Sequence, residues 1–252
     1  MDRLTVTTLA ERPELVGALW DMPDSWPDFL LQDPLNSACL GRVPEVFGDH
    51  VLVATDDDEH GAVVGRAFSV PFRLADPKHD GELPARGWDA MLLRAFADHG
   101  HGEAPDTVGA LEVSVRPDRQ GHGLSGLLLA ALRENARGRG FAELVAPVRP
   151  VLKHLEPWTP MSEYAVRTRA EDGLPSDPWL RVHVRAGAVV EKVAPASMTV
   201  SGSLAEWRAW TGLPFERSGE VVVPGALTPV RCDREQGVAV YVEPNVWVRH
   251  RL

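Results

Sequence analysis

Residues 116–132, RPDRQGHGLSGLLLAAL, change character abruptly in the middle: charge and glycine first, then an almost unbroken apolar run. Leu124, Leu127, Leu128, Ala131 and Leu132 recur at helical spacing, and Arg133, Glu134 and Arg137 supply a wet side. Gly138 or Gly140 suits the helix end. Immediately upstream, VGALEVSV alternates, with Leu111, Val113 and Val115 on one face and Glu112 and Ser114 on the other. Residues 141–148 form the next strand. A strand, a tight glycine connection, an apolar helix and a further strand call for a mixed α/β fold.

The rest of the chain extends that pattern. Residues 3–8 predict a first strand, and 11–22 and 28–40 carry helical spacing broken by Pro23, Pro27 and Pro34. Strands at 50–54 and 62–72 flank the charged turn from Asp56 to Gly61, which reads as a hairpin. A loop at 73–86 precedes a short helix at 88–98, and 149–175 is irregular and proline-bearing. Ser176 or Asp177 can cap a helix that has Pro178 in its first turn and Gly187 at its stop. Strands at 188–193 and 197–200, a helix at 204–210 with Trp207 and Trp210 in the core, and strands at 220–223 and 238–242 follow. Residues 245–249 continue the last strand. The expected organisation is one domain over 1–200, with inserted loops at 73–107 and 149–175. A helix-and-strand extension, 201–252, packs on it.

Composition narrows the partners. The net charge of −10 over 252 residues repels nucleic acid and anionic lipid. Cys39 and Cys232 lack zinc-like spacing and suit reduced thiols in a cytoplasmic protein. No stretch approaches the ~20 apolar residues that cross a bilayer, and the start of the chain lacks a signal-peptide core. His99 and His101 have no third ligand at metal spacing, so no metal is expected.

A helix start presents unpaired backbone N–H groups and the positive end of the helix dipole. Without side chains at Gly121 and Gly123, a phosphate can come close to those amides. The segment lacks the Lys-Ser/Thr of a Walker loop, the spacing of a dinucleotide fold and a Gly-x-Ser-x-Gly elbow. A phosphate cradle of another type remains, or a plain glycine turn.

Gln120, Gly123 and Ser125 fill the positions of the Gln/Arg-x-x-Gly-x-Gly/Ala signature, and the segment resembles the central motif of the GNAT N-acetyltransferase superfamily. Ser125 departs from Gly/Ala but is small. The resemblance covers residues 3–193, most specifically 108–148, and implies an α/β fold with a central mixed sheet flanked by helices. It implies acetyl-CoA as co-substrate, no metal, and an amine of a small molecule as acceptor, and it allows a homodimer. The diphosphate would lie on the amides of Gly121 to Ser125, in a setting of Arg119, Gln120, Gly121, His122, Gly123, Leu124, Ser125 and Gly126. The pantetheine arm would pair with Val113 and Val115 along the strand that carries Ser114, and Ser176 would meet the arm if it does not simply cap its helix.

Direct acyl transfer needs a base for the amine, stabilisation of the oxyanion and a departing thiolate. The resemblance points to Glu112 as base, against the alternative of a salt-bridged strand glutamate. His183, four residues before Gly187, stands where relatives often carry an acidic tyrosine; packing is its other reading. Tyr164 is a second source of a proton, and with Trp158 it would form a lid or acceptor pocket. The alternative function is a GNAT-fold module that holds acyl-CoA without turnover.

Overall fold

The computed structural model describes residues 4–75 and 81–252. Arg3 of the first predicted strand and positions 76–80 of the predicted loop lie outside the described residues. The strands are β1 (Leu4–Thr8), β2 (Val51–Asp56), β3 (Ala62–Phe72), β4 (Thr107–Val115), β5 (Glu143–Val148), β6 (Val189–Ser203), β7 (Gly219–Val221), β8 (Val230–Asp233) and β9 (Val238–Arg251). The α-helices are α1 (Val16–Asp21), α2 (Pro34–Ala38), α3 (Val43–Val46), α4 (Gly87–His101), α5 (Leu124–Gly138), α6 (Met161–Tyr164), α7 (Pro178–Arg185) and α8 (Leu204–Thr211). One mixed sheet runs β1-β2-β3-β4-β5-β9-β8-β7, with β6 also paired to β9. Helices α1, α4 and α8 bury their apolar residues against one face, and α5, α6 and α7 against the other.

The helix after the glycines forms as the apolar spacing requires. Leu124, Leu128, Leu132 and Ala136 are buried at i, i+4 intervals, whereas Leu127 turns outward at 44% exposure. The strand before it departs from simple alternation. In its pairing with β3, Phe68 faces Glu112 and Ser69 faces Ala110, so Leu111 is the extra residue of a β-bulge. The bulge moves Leu111 into the core with Phe68 and Met91, while Val113 and Val115 stay on the α5 face. On the same strand, a Cβ at Gly109 would lie 2.0 Å from Met91 Sδ, so the absent side chain lets α4 sit directly on β4.

The helix expected at 88–98, within the segment bounded at 73–107, forms as the four-turn α4 and runs further, so that His99 and His101 lie in its last turn, with Gly102 in the left-handed conformation closing it. Residues 201–252 contribute β7, β8 and β9 to the same sheet. Strand β9 is hydrogen-bonded to β6 on one edge and, on the other, to β5 near its end and β8 near its start. Its middle, from Tyr241 to Asn245, is thereby left without a strand neighbour on that second edge. Strand β8 itself was not legible in the sequence. No described helix is long and apolar enough to cross a membrane.

Candidate active site

Strands β4 and β5 run parallel but pair only at Val108–Leu144 and Gly109–Val145. Beyond Gly109 they part, so backbone groups of β4 on that edge lose their strand partner. Pro147, which has no N–H to offer, stands in β5 where they separate. The wedge belongs to a cavity of about 790 Å³, within the range of small-molecule sites. Its walls include Val113, Ser114 and Val115 of β4, Ala146 to Val148 of β5, and Gln120, Gly121, Leu124 and Ser125 at the start of α5.

Gly121 and Gly123 have φ of +81° and +83°, a conformation that favours glycine. Gly123 is the N-cap of α5 and supplies no side-chain cap. The first helix amides therefore have no intrahelical acceptor, and a Cβ at either glycine would meet open space. This is a suitable seat for an anion. His122, Gly123 and Gly126 do not line the large cavity. Arg119 does, but its guanidinium is held by Asp56 and Glu59, and Gln120 Nε2 donates to the Val115 carbonyl at 3.2 Å.

Glu112 lines the same cavity with its side chain 7% exposed. A charge so buried needs a partner, and Arg66 of β3 provides it: Nε donates to Glu112 Oε1 at 2.9 Å. Arg66 also donates through Nη2 to Asp24 Oδ2 at 2.7 Å and through Nη1 to the Leu19 carbonyl at 3.0 Å. One oxygen is salt-bridged, and the other accepts no hydrogen bond from any described residue. Ser114 Oγ is engaged by the indole N–H of Trp26 at 3.1 Å.

The proton-donor candidates fare differently. His183 borders the cavity, but its ring is buried, with Nδ1 3.0 Å from Nε2 of His250 and its edge against Trp179. Burial, then the neighbouring His250, pushes its pKa down to about 3, which favours the neutral ring over the imidazolium at neutral pH. Tyr164 is absent from the cavity lining; its hydroxyl donates to Asp177 Oδ2 at 3.0 Å. Burial and that carboxylate raise its pKa well above the ordinary phenol value. Trp158 is 61% exposed and, like Tyr164, is not among the residues that line the cavity. Ser176 is exposed and away from it too. Asp177 caps α7, accepting from the Trp179 and Leu180 amides.

The buried histidines carry a stability consequence. His183, His250 and His50 have pKa values pushed from 6.5 to about 3, 4 and 4, chiefly by desolvation. The unfolded chain therefore binds protons more readily than the folded one between those values and about 6.5. Unfolding free energy should fall steadily as pH drops below about 6.5, and His183→Phe should flatten part of that slope. Denaturant melts at pH 7.5, 6 and 5 measure it, and a slope identical in the variant would be evidence against this account.

Residues that periodicity did not single out complete the cavity: Asp24, Trp26, Arg66, Arg149, Glu243 and Asn245. Arg66 had a signal, as a lone charge inside an otherwise apolar strand, and Glu243 interrupts β9 in the same way. Asp24 and Trp26, in a proline-rich connection, had none.

No family model matches the chain. It is 32% identical over 276 residues to the arginine N-acetyltransferase avaD of Aspergillus versicolor, covering 98% of this chain and 94% of the relative. Among solved structures, the loading GNATL domain of CurA from Lyngbya majuscula superposes with a TM-score of 0.60 at 19% identity, over 100% of this chain and 98% of that one. The GNAT-like decarboxylase GphF, in complex with isobutyryl-CoA, follows at 0.54 and 18%, over 99% and 98%. Taken with the parted β4 and β5 and the glycine-led helix beside them, the relationship places the chain in the GNAT superfamily, as an N-acetyltransferase acting on a small molecule.

Proposed function

We propose that the enzyme moves the acetyl group of acetyl-CoA directly to a nitrogen of a cationic amino acid of the arginine type, with Glu112 taking the proton. The observation that carries this reading is that Glu112, held by Arg66 through one carboxylate oxygen, lines a cavity that also contains the start of α5. The α5 amides would hold the diphosphate, and the unpaired edge of β4 past Gly109 would hold the pantetheine arm and the thioester oxygen. Arg66 fixes the Glu112 carboxylate by one oxygen and leaves the other to receive a proton from the attacking amine, directly or through water. The carbon–sulfur bond then breaks, and the proton passes on to solvent or to the departing sulfur. Thiols ionise near pH ~8.5, so a thiolate leaves without a dedicated acid. That fits a cavity whose histidine at position 183 is neutral.

The acceptor follows from charge and relationship. Apart from Arg119, which Asp56 and Glu59 occupy, the lining sets three carboxylates, Asp24, Glu112 and Glu243, against the guanidiniums of Arg66 and Arg149. The residual negative charge suits a cation, and the curated relative is named for arginine. Acetyl-CoA at a hundred times its dissociation constant should stabilise the fold by about 2.7 kcal/mol, and CoA thiol should appear only when arginine or a similar amine is added. Thermal shift and a thiol-release assay test both steps. Binding without thiol release across a panel of amines would favour the non-catalytic acyl-CoA module instead.

A further inference from the structure

We propose that Arg149 receives the carboxylate of the acceptor, so that the enzyme selects a free amino acid over its decarboxylated or amidated counterpart. This deepens the acceptor reading above and rests on it. Arg149 follows β5 directly and reaches across to the unpaired middle of β9. There Nε donates to both oxygens of Glu243, at 3.2 and 3.0 Å, and Nη2 to the Gly225 carbonyl. Glu243 is fully buried and has its remaining capacity filled by the Tyr241 hydroxyl at 2.9 Å and Asn245 Nδ2 at 3.1 Å. The guanidinium plane lies over the Trp26 ring, 5.9 Å from its centroid. Arg149 is thus held on three sides before any ligand arrives.

The guanidinium also interacts with the Tyr241 hydroxyl, and the side chain, 16% exposed, still lines the cavity. A salt bridge kept only for stability needs no such opening. A guanidinium fixed through Nε and Nη2 in a side chain that lines a cavity suits a carboxylate. Trp26 ties this group to the reacting strand: its ring underlies Arg149 while its N–H reaches Ser114, two residues from Glu112. The same cavity therefore offers a carboxylate for the ammonium or guanidinium of an amino acid and a guanidinium for its carboxylate.

The test compares arginine, arginine amide and agmatine as acceptors at saturating acetyl-CoA. For the wild type, kcat/KM for arginine should exceed that for the other two by roughly 10- to 100-fold, the range of charge-assisted hydrogen bonds. Arg149→Lys keeps the charge but loses the fork, and the double variant Arg149→Met/Glu243→Gln removes the pair without stranding a buried carboxylate. In both, the preference for arginine should shrink towards parity, mainly through KM, since the contact is the same before and during reaction. Equal wild-type turnover of arginine and its amide, or an undiminished preference in both variants, would overturn the assignment of Arg149 alone. Thiol release with some other amine but none of these three would overturn the arginine-type acceptor, and this inference with it.

Discussion

Glu112→Gln should lower turnover by ~100- to 10,000-fold, the usual contribution of a positioned general base, while acetyl-CoA affinity stays near that of the wild type. The amide is almost isosteric and retains a carbonyl oxygen where Oε1 now accepts from Arg66 Nε, so the local geometry survives. What disappears is the capacity of the second oxygen to take a proton. The loss should therefore lie in kcat and kcat/KM together, with calorimetric binding of acetyl-CoA unaltered. Turnover within a few-fold of wild type would return Glu112 to the role of counter-ion for Arg66 and leave proton removal to solvent.

Arg66→Met should be the most damaging single change to stability. The guanidinium is 6% exposed and, among the described residues, is the ion-pair partner of both Glu112 and Asp24. Removing it leaves two carboxylates near one another in a poorly solvated site. Breaking a buried pair from one side typically costs about 3–5 kcal/mol, which for a chain of this size lowers the melting temperature by roughly 6–20 °C. Adding Glu112→Gln to Arg66→Met removes one of the stranded charges and should recover part of the loss, a coupling that a double-mutant cycle reads directly. A single variant melting within about 2 °C of wild type, less than 1 kcal/mol by that scaling, would show that water already screens the cluster and that Arg66 does not hold Glu112 in place.

Local patterns were legible in the residues themselves. The i, i+4 leucines of α5, the glycines ahead of them, the hairpin of β2 and β3 and the cap of α7 all act within a few positions of the chain, and they formed as read. The motif from Gln120 to Ser125 pointed to the family for the same reason: the start of a helix is built from consecutive amides. The electrostatic site depends instead on register between distant strands. Arg66 meets Glu112, 46 positions away, because β3 and β4 pair Arg66 with Ser114 and the bulge at Leu111 comes after Glu112 on the way back along β4. Arg149 meets Glu243, 94 positions away, only because β5 and β8 leave the middle of β9 open. His183 occupies the position that the motif comparison gave it, yet burial beside His250 makes it neutral. Sequence periodicity states which face of an element is apolar; it carries no information on which charge waits across a sheet, or on how much water reaches it. The family was therefore determined by the chain's local order, and the partner of Glu112, the charge on His183 and the place of Arg149 in the cavity wall by tertiary packing.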